Sequence, residues 1–278
     1  MIRLLSGVKL SKQILVSLSK EVNSFGLCTS LHVMLIGSDP ASEIYVSLKE
    51  KAAKKVGIDF VLHRFGDEVS ESVVQEKIIR LNSDDAVDAI LVQLPLPKSY
   101  DTDRVVSLIA TQKDADGFHP DNRRAFCDNS HDVLWPVFPL AIVRLLDFSE
   151  KNYVGGQAVV IGRSDVFLDT MACALRRKGL RVKNVSCEDV VSGSVDVSRA
   201  NVVVTACGIP NLLRADHLSD NAIVIDGGVA RVHRQVVGDV DRSSCERSQK
   251  HIILSPVPGG VGPVTVACLL ENVVRLAS

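Results

Sequence analysis

The fold is decided by a stretch that reads Leu31-His32-Val33-Met34-Leu35-Ile36-Gly37-Ser38-Asp39-Pro40 and continues as a helical pattern to Gly57. The apolar run Leu31 to Ile36 predicts a buried strand, and Gly37 to Pro40 predicts a turn. We expect Ser42 to cap the helix and Gly57 to end it. A helix that leaves directly from a strand is the repeating unit of an α/β fold.

The same alternation continues along the chain. Further apolar runs that predict strands lie at 60–65, 89–94, 157–161, 180–185, 201–206 and 222–225. Helical patterns separate most of these runs, which indicates parallel sheets. The pattern restarts after a linking helix at 137–146, so we predict two domains, 1–136 and 137–263.

Composition narrows the function classes. The 278 residues are 46% hydrophobic with a formal net charge of −1 and no long basic run, which argues against nucleic-acid and membrane-surface partners. We expect a small-molecule partner. No apolar run suits a signal peptide or a membrane span, so we expect a cytoplasmic protein. Seven dispersed cysteines predict reduced thiols and give no metal signature.

Lys49 is the catalytic candidate on the helix that is predicted to end at Gly57. It lies one turn after Tyr45 and beside the apolar stripe of that helix. Partial desolvation lowers the pKa of a lysine toward the range useful for proton transfer. The alternative is that Lys49 extends past the stripe into solvent, as amphipathic lysines usually do.

Two later segments add polar candidates. Gln93 follows an apolar strand pattern and precedes Pro95, at the strand end where ligands of parallel sheets collect. A role in satisfying loop backbone groups is the alternative for Gln93. The loop around Asp116 offers a carboxylate to a ligand's N–H groups. His119 in the same loop suits either a base or, before a proline, a structural role.

The second half carries two glycine-containing loops. Gly162-Arg163-Ser164 follows a predicted strand, and a predicted helix begins at Thr170, an arrangement in which helix N–H groups bind phosphate. The signal is weak because the three-glycine dinucleotide fingerprint is absent from this turn. The run Pro256 to Thr265 holds three glycines and three prolines, so it forms either a tight loop or a platform for a flat ring.

Together these stretches resemble the methylenetetrahydrofolate dehydrogenase/cyclohydrolase family over essentially the full chain. The motifs that carry the resemblance occur in order, as Tyr45-x-x-x-Lys49, Leu91-Val92-Gln93-Leu94-Pro95-Leu96-Pro97, Lys113-Asp114-Ala115-Asp116-Gly117-Phe118, Gly162-Arg163-Ser164, Gly238-Asp239-Val240 and Pro256 to Thr265. Each is short, but the ordered set is specific.

The resemblance implies the architecture and the activity. It implies a folate-binding domain, 1–136 completed by the helix 264–278, and a Rossmann-like NAD(P)-binding domain, 137–263, flanking a cleft. The implied reactions are oxidation of 5,10-methylenetetrahydrofolate with NADP and hydrolysis of the methenyl product to 10-formyltetrahydrofolate. A homodimer in cytoplasmic one-carbon metabolism, serving purine biosynthesis, is also implied.

The resemblance also implies roles for individual residues. Lys49 serves hydrolysis, Gln93 holds Lys49 neutral, Tyr45 stacks on or orients the folate ring, and Asp116 accepts from the pterin. The residues implied to line the folate and nicotinamide boundary are Pro258, Gly259, Gly260 and Pro263. The residues implied to bind the coenzyme are Gly162, Arg163, Ser164, Gly208, Val229 and Thr265. No metal ligand is implied.

Three departures from the family pattern affect the second domain. Leu168-Asp169-Thr170 stands where the family has a glycine and a proline in the phosphate turn. Glu188 stands near where an arginine helps to hold a 2′-phosphate, although Arg163 remains available. Phe138 either crowds the cleft or packs in the core. We therefore expect hydrolysis to be retained and the dehydrogenase to be weak, NAD-dependent or lost.

Two rival functions remain open from the sequence. One is another two-domain dehydrogenase, such as a shikimate or amino-acid dehydrogenase, against which the set of Tyr45, Lys49, Gln93 and Asp116 argues. The other is a binding protein for folate or nucleotide that has lost turnover.

Overall fold

The computed structural model describes residues 1–233 and 235–277, which fold into two compact units. The three-stranded unit consists of Lys12–Val137 together with the residues from Val266 onward. The six-stranded unit consists of Met1–Ser11 and Phe138–Thr265. Each unit contains a parallel sheet, and the α/β prediction is confirmed.

The strands alternate with helices along most of the chain. The strands are β1 (Ile2–Leu4), β2 (Ser30–Ile36), β3 (Asp59–Phe65), β4 (Ala89–Val92), β5 (Gln157–Gly162), β6 (Arg181–Ser186), β7 (Val202–Ala206), β8 (Ile223–Asp226), β9 (Ala230–Val232), β10 (Gln235–Val237) and β11 (Ile252–Ser255). The helices are α1 (Gly7–Phe25), α2 (Pro40–Val56), α3 (Glu71–Asn82), α4 (Thr102–Val106), α5 (Pro120–Cys127), α6 (Val137–Phe148), α7 (Asp165–Arg177), α8 (Cys187–Val191), α9 (Arg242–Arg247) and α10 (Val261–Leu276).

The helix α2 begins three residues earlier than its sequence pattern predicted. Its N-cap is Asp39, whose Oδ2 accepts the backbone N–H of Ser42 at 2.8 Å, and Pro40 is its first residue. The prediction of Ser42 as the cap was wrong, because the carboxylate of Asp39 and a proline at the first position outcompete it. Gly57 ends the helix as predicted, with φ +98°.

The three-stranded sheet has the order β3-β2-β4, with all strands parallel. Its central strand, β2, is buried on both faces, as its continuous apolar run predicted. Met34 and Ile36 pack in one cluster with Ile78 of α3 and Ile90 of β4. Full burial of such a side chain contributes about 1.5–3 kcal/mol, so this cluster fixes where the end of β4 lies.

The six-stranded sheet has the order β1-β11-β8-β7-β5-β6. From β5 the chain passes to β6 on one side and then to β7 on the other. This reversal places the topological switch point between β5 and β7, where open parallel sheets bind their ligands. A short antiparallel pair, β9 and β10, follows β8.

The first residues of the chain lie outside the unit expected for them, whereas most of the last helix lies in the expected one. Residues 1–11 belong to the six-stranded unit, because β1 pairs with β11 from Ile2 with Ile252 to Leu4 with Leu254. The helix α10 begins at Val261 instead of Val264, and from Val266 it belongs to the three-stranded unit.

The helix after β5 also begins earlier than predicted. The sequence pattern placed its start at Thr170, but α7 begins at Asp165, with Ser164 as its N-cap. Leu168 and Asp169 therefore lie inside the helix and not in a phosphate turn. The side chain of Leu168 is buried, while Asp169 accepts a hydrogen bond from Asn184 of β6 at 3.1 Å.

Within the described part of the chain, none of the helices is long and apolar enough to cross a membrane.

Candidate functional site

The centre of the site in the three-stranded unit is a hydrogen bond between α2 and the end of β4. The Nζ of Lys49 donates to Oε1 of Gln93 at 2.8 Å. The Nε2 of Gln93 donates in turn to the carbonyl of Leu94 at 2.6 Å. Because that second bond uses the amide nitrogen of Gln93, the amide oxygen is oriented toward the lysine.

Two opposing influences set the pKa of Lys49. Burial lowers the pKa of its amine, and the charge of Asp116 raises it by a smaller amount. Lys49 as a whole is half-buried. The pKa of Asp116 is raised to about 6, mainly by burial, with the nearby charge of Lys49 acting in the opposite direction. The sequence-based interpretation of Lys49 as a desolvated amine thus agrees with the geometry, and extension into solvent does not.

The loop that presents Asp116 is organised by its neighbour Asp114. The buried carboxylate of Asp114 accepts the backbone N–H groups of Gly117 at 3.1 Å, Phe118 at 3.3 Å and His119 at 2.8 Å. The imidazole of His119 accepts from the N–H of Asp121 and contacts the carbonyl of Ser107, so it has the structural role that the sequence left open. These bonds hold the backbone of the loop that carries Asp116.

Asn272 of α10 supports the same loop, and sequence reasoning missed it. Its buried Nδ2 donates to the carbonyls of Ala115 at 3.0 Å and Trp135 at 2.9 Å. A polar residue within the apolar pattern of α10 was the available signal, because a buried amide needs a partner.

Tyr45 lies on α2 one turn before Lys49 and is half-buried. Residues i and i+4 of a helix share a face, so its ring and the amine of Lys49 lie on one side of α2. The structure thus gathers Tyr45, Lys49, Gln93 and Asp116 within one unit, as the sequence predicted.

The predicted coenzyme turn lies at the end of β5 in the six-stranded unit. Arg163 donates from Nε to the carbonyl of Cys207 at 2.7 Å and places Nη1 3.8 Å from Glu188. The hydroxyl of Ser164 accepts the N–H of Phe167 at 3.3 Å. Gly162 is buried at the end of the strand. Both polar side chains of this turn are therefore engaged with the protein itself.

A buried carboxylate to which the sequence analysis assigned no role holds the neighbouring loop. Asp239 accepts from the hydroxyl of Thr205 and the backbone N–H of Cys207, both at 2.7 Å, and from the N–H of Ile209 at 2.8 Å. These bonds fix the loop after β7 that contains Gly208, whose φ is +66°. The motif Gly238-Asp239 was visible in the sequence, but the three groups that its carboxylate binds are 30 to 34 positions away.

Two other predicted coenzyme residues lie in different segments of this unit. Val229 follows β8 and is 51% exposed. Thr265 lies in α10, where its hydroxyl donates to the carbonyl of Gly262 at 2.7 Å.

The loop between β11 and α10 is packed against the start of α1. The carbonyl of Gly259 accepts the N–H of Val8 at 3.2 Å, and Gly259 has φ +99°. A side chain on Gly7 would lie 1.8 Å from the carbonyl oxygen of Gly260, so the close approach of the two backbones needs a glycine at position 7. Pro258 follows a cis peptide bond, and Pro263 lies in the first turn of α10.

Cys187 and Cys207 form a disulfide, so the prediction of reduced thiols was wrong for this pair. The two residues are far apart in sequence but directly follow β6 and β7, the two neighbours of β5. Parallel strands bring their carboxyl ends to one edge, which a linear reading of cysteine spacing does not show.

Comparison with known proteins matches both halves of the chain to one family. The catalytic domain of the tetrahydrofolate dehydrogenase/cyclohydrolase family matches residues 5–116, and its NAD(P)-binding domain matches residues 136–278. The bifunctional protein FolD of Nitratiruptor is 37% identical over 281 residues, covering 99% of this chain and 98% of the relative. The FolD of Campylobacter fetus is 43% identical over 253 residues, covering 91% and 88%.

Solved structures give the same result. The crystal structure of the bifunctional enzyme FolD from Campylobacter jejuni has a TM-score of 0.92 and 36% identity, covering 100% of this chain and 99% of that one. FolD from Trypanosoma brucei, complexed with NADP and an inhibitor, has a TM-score of 0.92 and 30% identity, covering 99% and 96%. Domain matches, sequence identity and fold agree over nearly the full length, and the chain belongs to the tetrahydrofolate dehydrogenase/cyclohydrolase family.

Proposed function

We propose that Lys49, Gln93 and Asp116 carry out the hydrolytic half of the family's bifunctional activity. As a member of the family, the chain is a methylenetetrahydrofolate dehydrogenase with NADP as coenzyme and a methenyltetrahydrofolate cyclohydrolase. The observation that supports our assignment is the Lys49 amine, whose pKa is lowered by burial and which is hydrogen-bonded to Gln93. A neutral amine at this position accepts a proton from water.

The hydrolysis then proceeds in two proton transfers. Water attacks the cationic methenyl carbon between N5 and N10, and its first proton passes to the neutral amine of Lys49. The bond from this carbon to N5 breaks as the second proton leaves the new hydroxyl and N5 becomes protonated. The product is 10-formyltetrahydrofolate, and one proton is released overall. Gln93 contributes by accepting from Lys49 and holding its nitrogen in place.

Tyr45 and Asp116 bind the folate in this proposal. Ionised Asp116 accepts hydrogen bonds from the amino and ring N–H groups of the pterin, for which a carboxylate is suited. The loop that carries Asp116 is held by Asp114 and Asn272, so the carboxylate is positioned before substrate binds. The ring of Tyr45 lies on the face of α2 that carries Lys49, where it orients the pterin.

We assign the coenzyme to the carboxyl edge of the six-stranded sheet, with Gly162, Arg163, Ser164, Gly208, Val229 and Thr265 as the proposed contacts. Glu188 is the second residue after β6, a position at which an acid pairs with a free ribose 2′-hydroxyl and disfavours a 2′-phosphate. Nη1 of Arg163 lies 3.8 Å from Glu188, so this carboxylate offsets the positive charge that a 2′-phosphate would need. NAD is therefore a second candidate coenzyme. Pro258, Gly259, Gly260 and Pro263 complete the proposed folate contacts.

A homodimer located in the cytoplasm is part of the same proposal, with the family resemblance as its support. The proposed product is a one-carbon donor, which places the enzyme upstream of purine biosynthesis.

The experiment that tests this function is methenyltetrahydrofolate hydrolysis, followed by the decay of substrate absorbance. Lys49→Ala removes the proton acceptor. After the uncatalysed background rate has been subtracted, its hydrolysis is expected to be about 10²–10⁴-fold slower than that of wild type. Lys54→Ala is the matched control, because Lys54 lies on the same helix but is exposed and paired with Glu50. Hydrolysis at the wild-type rate in folded Lys49→Ala contradicts the proposal.

A further inference from the structure

Two aromatic rings lie at the carboxyl edge of the six-stranded sheet. Phe138 is the second residue of α6, and Phe167 is in the first turn of α7. Their ring centroids are 5.7 Å apart, with the planes at 70° in an edge-to-face arrangement. Both side chains are half-buried, so the pair lies at the surface of the unit and not in its core.

Each ring covers a glycine at the end of a strand. A Cβ on Gly162 would lie 2.4 Å from Cδ1 of Phe167, and a Cβ on Gly227 would lie 2.7 Å from Cζ of Phe138. Gly162 ends β5 and Gly227 directly follows β8. The pair of rings therefore bridges the ends of two strands that lie on either side of β7.

This position is where a dinucleotide needs open backbone. In parallel α/β sheets the diphosphate binds at the first strand-to-helix turn, against a glycine and the N–H groups of the helix. Here the glycine is covered by Phe167, whose own N–H is bonded to the hydroxyl of Ser164. The residues of this turn, as they are arranged, do not fit NADP.

We infer that Phe167 controls coenzyme binding and that a nicotinamide dinucleotide binds this chain only after the ring of Phe167 has left Gly162. The inference rests on the proposed function only in that the ligand is such a dinucleotide. Because only molecules in the competent state bind coenzyme, the apparent affinity equals the intrinsic affinity multiplied by the fraction of molecules in that state. The free protein therefore binds coenzyme weakly, while hydrolysis in the three-stranded unit needs no movement of this ring.

The core-packing alternative makes a different prediction. A ring that only fills space leaves coenzyme affinity unchanged or weaker when it is shortened, because its loss disturbs the unit. A ring that blocks the ligand raises the affinity when it is shortened. The sign of the change separates the two explanations.

The test is calorimetric titration of NADP, and separately of NAD, into wild type and Phe167→Val. A minor competent state is typically populated at about 0.1–10%, so Phe167→Val is expected to bind at least about tenfold more tightly. Phe148→Val is the matched control, since Phe148 is half-buried at the opposite end of α6. Equal or weaker coenzyme binding by folded Phe167→Val overturns the inference.

A second measurement keeps a phenylalanine ring at position 167, so it does not depend on whether the shortened variant folds. Fluorinated phenylalanine at position 167 is expected to change its fluorine resonance when NADP saturates the protein, and the same label at position 148 is not. An unchanged resonance at position 167 under saturation overturns the inference.

Hydrolysis of methenyltetrahydrofolate is measured on the same preparations without coenzyme. Normal hydrolysis with unchanged affinity overturns the role of Phe167 alone. Absent hydrolysis in wild type overturns the proposed function, whatever the affinities are.

Discussion

The amine of Lys49 is subject to two influences of opposite sign. Burial lowers its pKa, and the carboxylate of Asp116 raises it. Removing the carboxylate leaves burial unopposed, so Asp116→Asn is expected to lower the pKa of Lys49 further. Hydrolysis by the neutral amine increases as pH rises through that pKa, and its midpoint should therefore move to lower pH by about one unit.

The measurement is the pH dependence of the maximal hydrolysis rate at saturating methenyltetrahydrofolate. Asp121→Asn serves as control, because Asp121 is an exposed carboxylate that pairs with Arg124. A midpoint that rises or stays in place contradicts the coupling, and an increase in KM alone would indicate that Asp116 only binds the pterin.

At the level of elements, a histidine pair joins β2 to β3. His32 Nδ1 and His63 Nε2 are 3.0 Å apart, and the pKa of His63 is lowered to about 4 by burial, by Lys77 and by His32. The unfolded chain binds a proton here near pH 6.5, so it takes up more protons than the folded state between pH 6.5 and 4. The contribution of His63 to the free energy of unfolding is therefore fully present above about pH 6.5, and it is lost as the pH decreases toward 4.

The prediction is tested by urea unfolding at pH 7.5 and pH 5. His63→Gln is expected to lose less stability between these two pH values than wild type does. His131→Gln, at an exposed site, should retain the wild-type difference. An equal loss in His63→Gln and wild type contradicts the prediction.

The disulfide of Cys187 and Cys207 ties together the loops after β6 and β7. It closes a loop with a sequence separation of 20 residues, which corresponds to about 3 kcal/mol in the chain-entropy estimate. Cys187→Ala and Cys207→Ala are each expected to lose about that much stability, and the double variant little more, because either change removes the bond.

Urea unfolding of oxidised protein measures these losses. Cys28→Ala is the control, because Cys28 is free and exposed. Additive losses in the double variant contradict the prediction. Under a reductant that opens the bond, the same comparison should show no difference that depends on the disulfide.

At the level of the whole molecule, the sequence predicts what is repeated or local and misses what is distant. Helical spacing and the strand end placed Lys49 and Gln93 correctly, because each position depends on neighbouring residues. The resemblance named the family, which the comparisons confirm. Asn272 lies 157 positions from the carbonyl of Ala115 that it holds, so no local pattern predicts that contact. The start of α7 was missed although its signal is local, because Ser164 was assigned to the turn and not recognised as the cap that binds the N–H of Phe167.

The pairing of β1 with β11 limits when this protein can fold during synthesis. Ile2 pairs with Ile252, and the three-stranded unit likewise requires the residues from Val266 onward. At roughly 5–20 residues per second, a ribosome needs about 12–50 seconds to make the chain between the two paired strands. During that time the edge of the larger sheet is unpaired and its apolar surface is exposed. Neither unit can therefore finish folding until the residues of β11 and α10 have been synthesised.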